Sequence, residues 1–321
     1  MDELLSPETV AAYLASRGLL PAGEPVEAKE LSGGISNVVL GVEARDFRAV
    51  VKQALPKLRV ADDWPAKRER ATTEAEVLKL CGQLTPGRVP AVLDSDPASF
   101  ALTTAFAPDD WTNWKSSLLS GNVDPAVAAA LGETLVEWHL RTDGTAGAFD
   151  DQEAFEQLRV DPYYRTVMRR RPDVADLVEP YVARMTATRQ CLVHGDFSPK
   201  NVLVGDDGLW VVDFEVAHLG DPAFDLAFMT NHLMLKSIHR PEASQSFFDC
   251  ASSFWDAYSR RSPIDGSYVL GHVGCLMTAR VDGKSPAEYL TDGGRETARA
   301  VGKRLLQDPP GEIEGAWARL V

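Results

Sequence analysis

Cysteine is scarce and scattered: Cys81, Cys191, Cys250 and Cys275 form no CxxC pair and have no histidine at metal-ligand spacing beside them. That argues against a structural zinc site or a disulfide framework and leaves reduced, mostly buried thiols. No apolar run is long enough to cross a bilayer, and the opening residues MDELLSPETV are acidic where a secretory signal would be basic. A cytoplasmic protein with no membrane partner is the expectation. Positive charge is short too. The 33 Lys and Arg stand against 47 Asp and Glu, a formal net charge of −14, which disfavours a nucleic-acid surface. Internal repeats and low-complexity linkers are also missing, so the partner to expect is a small molecule.

What is present exceeds one compact core. A chain of 321 residues favours two domains or one domain in two parts. The segment SPETVAAYLASRGLL has Ser6 as a helix cap, Pro7 at the first helical position and Gly18 as the stop. A β pattern follows: ELSGGISNVVLGVEARDFRAVVKQAL holds two β-branched runs joined by an Arg45-Asp46 turn, an antiparallel hairpin. After Pro65 the period becomes helical through Leu84. Ala71, Ala75, Leu78 and Gly82 share one face, and Glu74 falls within that stripe while Glu76 points away. Apolar runs at 91–93 and 100–106 complete a small sheet. Helices then dominate, at 124–142, within 151–190, at 241–260 and at 286–306, the last with Ser285-Pro286-Ala287-Glu288 as a capping-box start. A hinge is expected near residues 105–112.

Two stretches carry chemistry. VHGDFSPKNVLV places His194, Asp196, Lys200 and Asn201 at the start of a strand-like run, and VVDFEVAHLGDPAFDLAF places Asp213 and Glu215 at the end of another. The runs are joined by Gly205-Asp206-Asp207-Gly208, so Asn201 and Asp213 are expected as neighbours across a hairpin. Carboxylates brought together repel and raise each other's pKa unless a cation joins them. Hard oxygen donors without imidazole or thiolate suit Mg²⁺ completed by water and substrate phosphates.

HGDFSPKN matches the H-x-D-x-x-x-x-N catalytic loop in full, so the chain resembles the protein-kinase-like phosphotransferases. Glycine after the histidine, D-x-E in place of Asp-Phe-Gly, and LGDPAFDLA downstream resemble the small-molecule branch of aminoglycoside phosphotransferases, choline kinases and methylthioribose kinases. VKQALPKLRVADDWPAKRERATTEAEVL is most similar to 5-methylthioribose kinases, with a VKQA-type strand, a Trp-Pro loop and an R-A-x-x-E helix. GCLMTARVDGKSP is similar to their Arg-Arg-x-x-Gly element but retains only Arg280, and Asn201 stands where those kinases have serine.

The resemblance implies an α+β, bilobal protein-kinase-like fold with a small β-rich N-terminal nucleotide-binding lobe (1–107), a larger helical catalytic and substrate-binding lobe (108–321), and ATP between them. Gly33, Gly34, Ser36 and Asn37 would form the phosphate turn, with Lys52 on the phosphates and Glu74 holding Lys52. Asp196 would take the acceptor proton, and Lys200 would approach the γ-phosphate. Asn201, Asp213 and Glu215 would hold Mg²⁺, with Glu215 alternatively a supporting anchor. Arg280 would orient the acceptor, and Trp111 and Trp114 would wall its pocket or support the lobe junction. His194 would position the loop, and Asp225 would cap its backbone N–H groups. His139 reads as a packed or surface residue. The function implied is ATP- and Mg-dependent phosphorylation of a hydroxyl on a ribose-like sugar such as methylthioribose, by a monomer or homodimer. An aminoglycoside or choline-like acceptor and a nucleotide-binding regulator without turnover are the alternatives.

Overall fold

The computed structural model describes residues 4–31, 35–59 and 64–320. Gly33 and Gly34 of the expected phosphate turn lie outside the described residues. The chain forms two compact units: Met1–Trp111 with Trp210–Val216, and Thr112–Leu209 with Ala217–Val321.

The first unit is built on an antiparallel sheet. Helix α1 (Val10–Ser16) starts a turn later than Ser6-Pro7 suggested, because residues 7–9 form a turn in which the Ser6 carbonyl accepts from Thr9 and Val10 N–H; Gly18, at φ +72°, follows it. Strands β1 (Glu27–Glu30), β2 (Asn37–Ala44) and β3 (Phe47–Ala54) precede helix α2 (Arg70–Leu84), and β4 (Val92–Asp96) and β5 (Ala101–Ala105) follow it. The sheet order is β1-β2-β3-β5-β4. The hairpin turns at Arg45-Asp46 as the sequence predicts, with Ala44 opposite Phe47 and Val39 opposite Lys52. Val10, Leu14, Val38, Leu40, Val42, Val51 and Leu55 form one buried cluster, the hydrophobic burial that fixes the register of a half-buried sheet.

The expected single division at 107/108 omits the return segment Trp210–Val216. That segment joins the first unit through Val211 N–H, which donates to the Arg88 carbonyl at 2.8 Å, and through an edge contact of the Trp210 and Trp111 rings, centroids 5.2 Å apart.

The second unit is mostly helical. It contains β6 (Thr112–Asn113), α3 (Trp114–Ser120), α4 (Pro125–Thr142), α5 (Glu153–Phe155), a π-helical stretch Glu156–Arg165, α6 (Thr166–Arg170) and α7 (Pro172–Ala187). Next come β7 (Cys191–Val193), β8 (Val202–Gly205), β9 (Gly208–Val211), into which the unit boundary falls, and β10 (His218–Gly220). Helices α8 (Ala223–His239), α9 (Ser244–Ser259), α10 (Gly266–Asp282), α11 (Asp292–Gln307) and α12 (Ile313–Trp317) complete it. Strands β7 and β10 pair antiparallel, and a three-stranded sheet has the order β6-β8-β9.

The capping-box reading at Ser285 is corrected. The last long helix begins at Asp292, capped by the Thr291 hydroxyl accepting from Gly294 N–H, because Ser285 is already engaged: its carbonyl and hydroxyl both accept from Arg280 Nη1. Helices α8 and α10 went unforeseen. They are buried on nearly every side, so neither shows the one-sided apolar stripe that periodicity reads. No helix among the described residues is long and apolar enough to cross a membrane.

Helix α4 starts on Asp124, whose carboxylate accepts from Ala126 N–H, with Pro125 at the first position. Gly132 lets it approach α9: a Cβ there would meet the Phe254 carbonyl oxygen and lie 3.0 Å from Ala257 Cβ. Gly132→Ala therefore should destabilise the protein by roughly 1–3 kcal/mol despite alanine's better helix propensity. Chemical denaturation checks this, and an unchanged or raised stability would contradict the close packing.

Candidate active site

In the first unit, the pleat of β3 and the phase of α2 bring Lys52 and Glu74 together. Lys52 Nζ donates to both Glu74 oxygens, at 2.7 and 2.9 Å, and to Asp213 Oδ1 at 2.7 Å. Burial opposes the ammonium, but Asp213, Glu74 and Glu215 outweigh it and hold Lys52 above its ordinary range. Burial raises Glu74, and the attraction of Lys52 only partly offsets that. Glu76 stays exposed on the opposite side of α2. Asp213 has φ +72°, a left-handed backbone that is uncommon outside glycine and that collects at functional loops.

Ser36, Asn37 and Glu215 also meet. Glu215 Oε1 accepts from Ser36 Oγ at 2.7 Å, and Oε2 accepts from Asn37 Nδ2 at 2.9 Å and from Arg70 Nε at 3.0 Å. Both carboxylate oxygens are thus engaged by protein donors, the arrangement of the supporting anchor that was the alternative for this residue. Arg70 went unnoticed as a site residue, although the R-A-x-x-E motif contained it. It is buried, and its guanidinium also donates to the carbonyls of Ser36, Leu55, Ala66 and Lys67. A planar fork is the side chain that satisfies so many acceptors at once.

In the second unit, the loop after β7 is held by a buried carboxylate. Asp225, in the first turn of α8, accepts from His194 N–H at 2.7 Å and Gly195 N–H at 2.9 Å. Gly195 has φ +77°, a turn that suits a residue without Cβ. His194 Nδ1 accepts from Asp196 N–H at 3.1 Å, a bond within the loop. Of the two readings for His139, packed or surface, the structure has the packed one, with Nδ1 2.9 Å from the Tyr258 hydroxyl and Nε2 3.4 Å from Asp225 Oδ2.

Asp196 is 2% exposed and paired with two cations: Arg159 Nη2 and Lys200 Nζ each lie 2.8 Å from Oδ2. Arg159 comes from the π-helical stretch and also donates to the Gly195 carbonyl at 2.8 Å. Nothing in sequence spacing marks it. Asn201 Nδ2 donates to the Asp196 carbonyl at 2.9 Å, and Asn113 Nδ2 donates to the Lys200 carbonyl at 2.6 Å, so both ends of the loop are pinned.

Arg280, near the end of α10, is 9% exposed and turned toward Ser285. The two tryptophans are not brought together. Trp111 packs on Trp210 in the first unit, and Trp114 is a core residue at the start of α3 in the second.

Asp213 in the first unit and Asn201 in the second each carry the hard oxygen donor that a divalent ion such as Mg²⁺ takes. No group of three or more His, Cys, Asp or Glu able to hold a metal occurs among the described residues.

Residues 27–258 match the phosphotransferase enzyme family (APH), and the chain belongs to that family. Methylthioribose kinase from Geobacillus sp. (strain WCH70) is 26% identical over 285 residues, covering 78% of this chain and 71% of that protein. Methylthioribose kinase from Pectobacterium atrosepticum is 29% identical over 241 residues, covering 65% and 60%. Among solved structures, a choline/ethanolamine kinase family protein from Mesorhizobium loti superposes with a TM-score of 0.54 at 18% identity, covering 98% of each chain. The ADP-bound aminoglycoside phosphotransferase APH(2'')-Ib gives a TM-score of 0.52 at 15% identity, covering 96% of this chain and 99% of that one. The fold is thus the protein-kinase-like one, and family and fold agree with the small-molecule kinase read from the sequence.

Replacing Arg70 by lysine keeps one charge but loses the fork. Arg70→Lys should cost about 2–4 kcal/mol of stability, since several buried carbonyls and Glu215 lose donors. Denaturant melts of the variant check this, and a loss near zero would show that the carbonyls find other partners.

Proposed function

We propose that this protein is an ATP- and Mg²⁺-dependent kinase that transfers the γ-phosphate to a hydroxyl of a small sugar-like molecule, ribose-like in the manner of methylthioribose. The observation that carries the reading is the held loop of the second unit, in which Asp196 is presented by Asp225, Arg159 and Lys200. The methylthioribose kinase relatives support the sugar class.

Each unit has its part. In the first, Lys52, oriented by Glu74, would neutralise charge on the nucleotide phosphates, and Asp213 would offer carboxylate oxygen to Mg²⁺. Glu215, held by Ser36, Asn37 and Arg70, would fix the start of β2, and with it the approach to the phosphate turn. In the second, Asn201 would present its amide oxygen to the metal while its amide nitrogen holds the loop. The chemistry that Mg²⁺ would supply there is positive charge to offset that on the phosphates.

Asp196 would orient the acceptor hydroxyl and take its proton as the hydroxyl oxygen bonds to the γ-phosphorus. The bond from that phosphorus to the β–γ bridging oxygen breaks, and the electron pair leaves with ADP. Lys200, half exposed on its flexible stem, is suited to follow the moving charge. A regulator without turnover is disfavoured because His194, Asp196, Asn201 and Asp213 all keep the residue types that the chemistry needs.

Asp196→Asn should lower kcat by about 10²–10⁴-fold with the Kd for ATP little changed. Asp213→Ala should abolish Mg²⁺-dependent ADP release. Coupled-enzyme assays and nucleotide titration check both, and full turnover in either variant would remove that residue from the mechanism.

A further inference from the structure

Helix α8 continues beyond Asp225 with Phe228, His232 and Lys236 spaced i, i+3, i+7 and i+11, one face of the helix. That face runs on from the loop that carries Asp196. The Arg159 guanidinium lies 5.8 Å from the Phe228 ring centroid, and the Phe228 and His232 rings are 5.2 Å apart. Lys236 then folds back, its Nζ donating to the His232 carbonyl at 3.4 Å. His232 lies about 10 Å along the helix axis from Asp225, seven residues at 1.5 Å each.

Past Asp225, whose carboxylate is met by the His194 and Gly195 N–H groups, the charge on this face is positive. His232 lies in the field of Lys236, Arg280, Lys200 and Lys115, and burial together with those cations keeps it from protonating in its ordinary range. Lys236 is 1% exposed and has the weak carbonyl bond and the Tyr289 ring, 5.5 Å away, as its contacts. No carboxylate pairs with it among the described residues. The nearby Glu288 is already bonded to Lys115 at 2.6 Å. Burial first, then Lys115 and Arg280, pushes Lys236 down to about 7. Two neighbouring groups lack a partner: Arg280 Nε and the Tyr289 hydroxyl are buried with no hydrogen-bond partner among the described residues. A weakly bonded ammonium thus shares its surroundings with a guanidinium N–H and a phenol O–H that have no acceptor among the described residues, and Arg280 lies within electrostatic reach of both Lys236 and Tyr289. Burying such donors unpaired is costly, and an anion would satisfy them together.

We propose that the acceptor carries, besides the hydroxyl that is phosphorylated, an anionic group, a carboxylate or a phosphate ester, seated on Lys236, Arg280 and Tyr289. The proposal rests on the kinase reading above and narrows its substrate class. It sets aside a cationic aminoglycoside or amino alcohol, for which this face has the wrong sign, and it departs from a neutral thiosugar. The transfer step is unchanged, and the anionic group takes no part in bond making.

The test compares wild type with Lys236→Met, a replacement of similar length without charge. ADP release from MgATP is measured with gluconate, glycerol 3-phosphate, ribose and choline as acceptors. The expected result is a kcat/KM for gluconate or glycerol 3-phosphate about tenfold or more above that for ribose and choline. Lys236→Met should raise the KM of the anionic acceptor by a similar factor and leave the KM for ATP alone. Whether gluconate or glycerol 3-phosphate leads tells carboxylate from phosphate. Anion binding is read separately from turnover: millimolar amounts of the better anion should raise the Tm of wild type and not that of Lys236→Met. The variant itself should melt no lower than wild type, whereas a purely structural lysine would cost stability. Preference for ribose or choline, or an anion-induced Tm shift retained in the variant, overturns the anionic acceptor and leaves the kinase standing. An anion-specific Tm shift without ADP release on any acceptor supports the anion site and overturns the kinase.

Discussion

Removing a carboxylate from water is expensive unless donors meet it, and Asp225 is met by two backbone N–H groups of the loop it faces. Much of the second unit's chemistry depends on that exchange. The carboxylate fixes the left-handed turn at Gly195, the turn sets the direction of Asp196, and Arg159 and Lys200 then close on the Asp196 carboxylate. Because Asp225 belongs to the first turn of α8, the same bonds align that helix with the loop.

In the first unit a second buried pair does comparable work. Arg70 and Glu215 tie the start of α2 to the return segment, while the Arg70 fork gathers carbonyls from just after β3, just before β2 and the residues leading into its own helix. An ion pair so enclosed contributes little net stability over a hydrophobic substitute. Its value is directional, because it leaves Ser36 and Asn37 a single arrangement.

Much of this was legible from residues alone where a local rule applied. The β2–β3 hairpin followed from alternation around Arg45-Asp46, and the inward Glu74 followed from helical phase, which also put Glu76 in solvent. HGDFSPKN marked the loop because its residue types have no ordinary structural use at that spacing. Other parts obeyed no local rule. Arg159 meets Asp196, and Lys236 meets the Tyr289 ring, through approaches made by distant segments, and α8 and α10 are buried on nearly all sides. Ser285 shows a local rule misleading: its hydroxyl suits a helix cap, but Arg280 claims it, and the helix waits for Thr291.

The wide-turn stretch Glu156–Arg165 has a further meaning. Arg159 and Tyr163, four residues apart within it, are both buried, and the stretch contains Pro162, which has no N–H to lend to any helical ladder. An ordinary α-helix turns its side chains by about 100° per residue, so losing one residue here would swing the guanidinium away from Asp196. The residue count of this stretch therefore acts as a gauge block: its length sets the aim of the arginine.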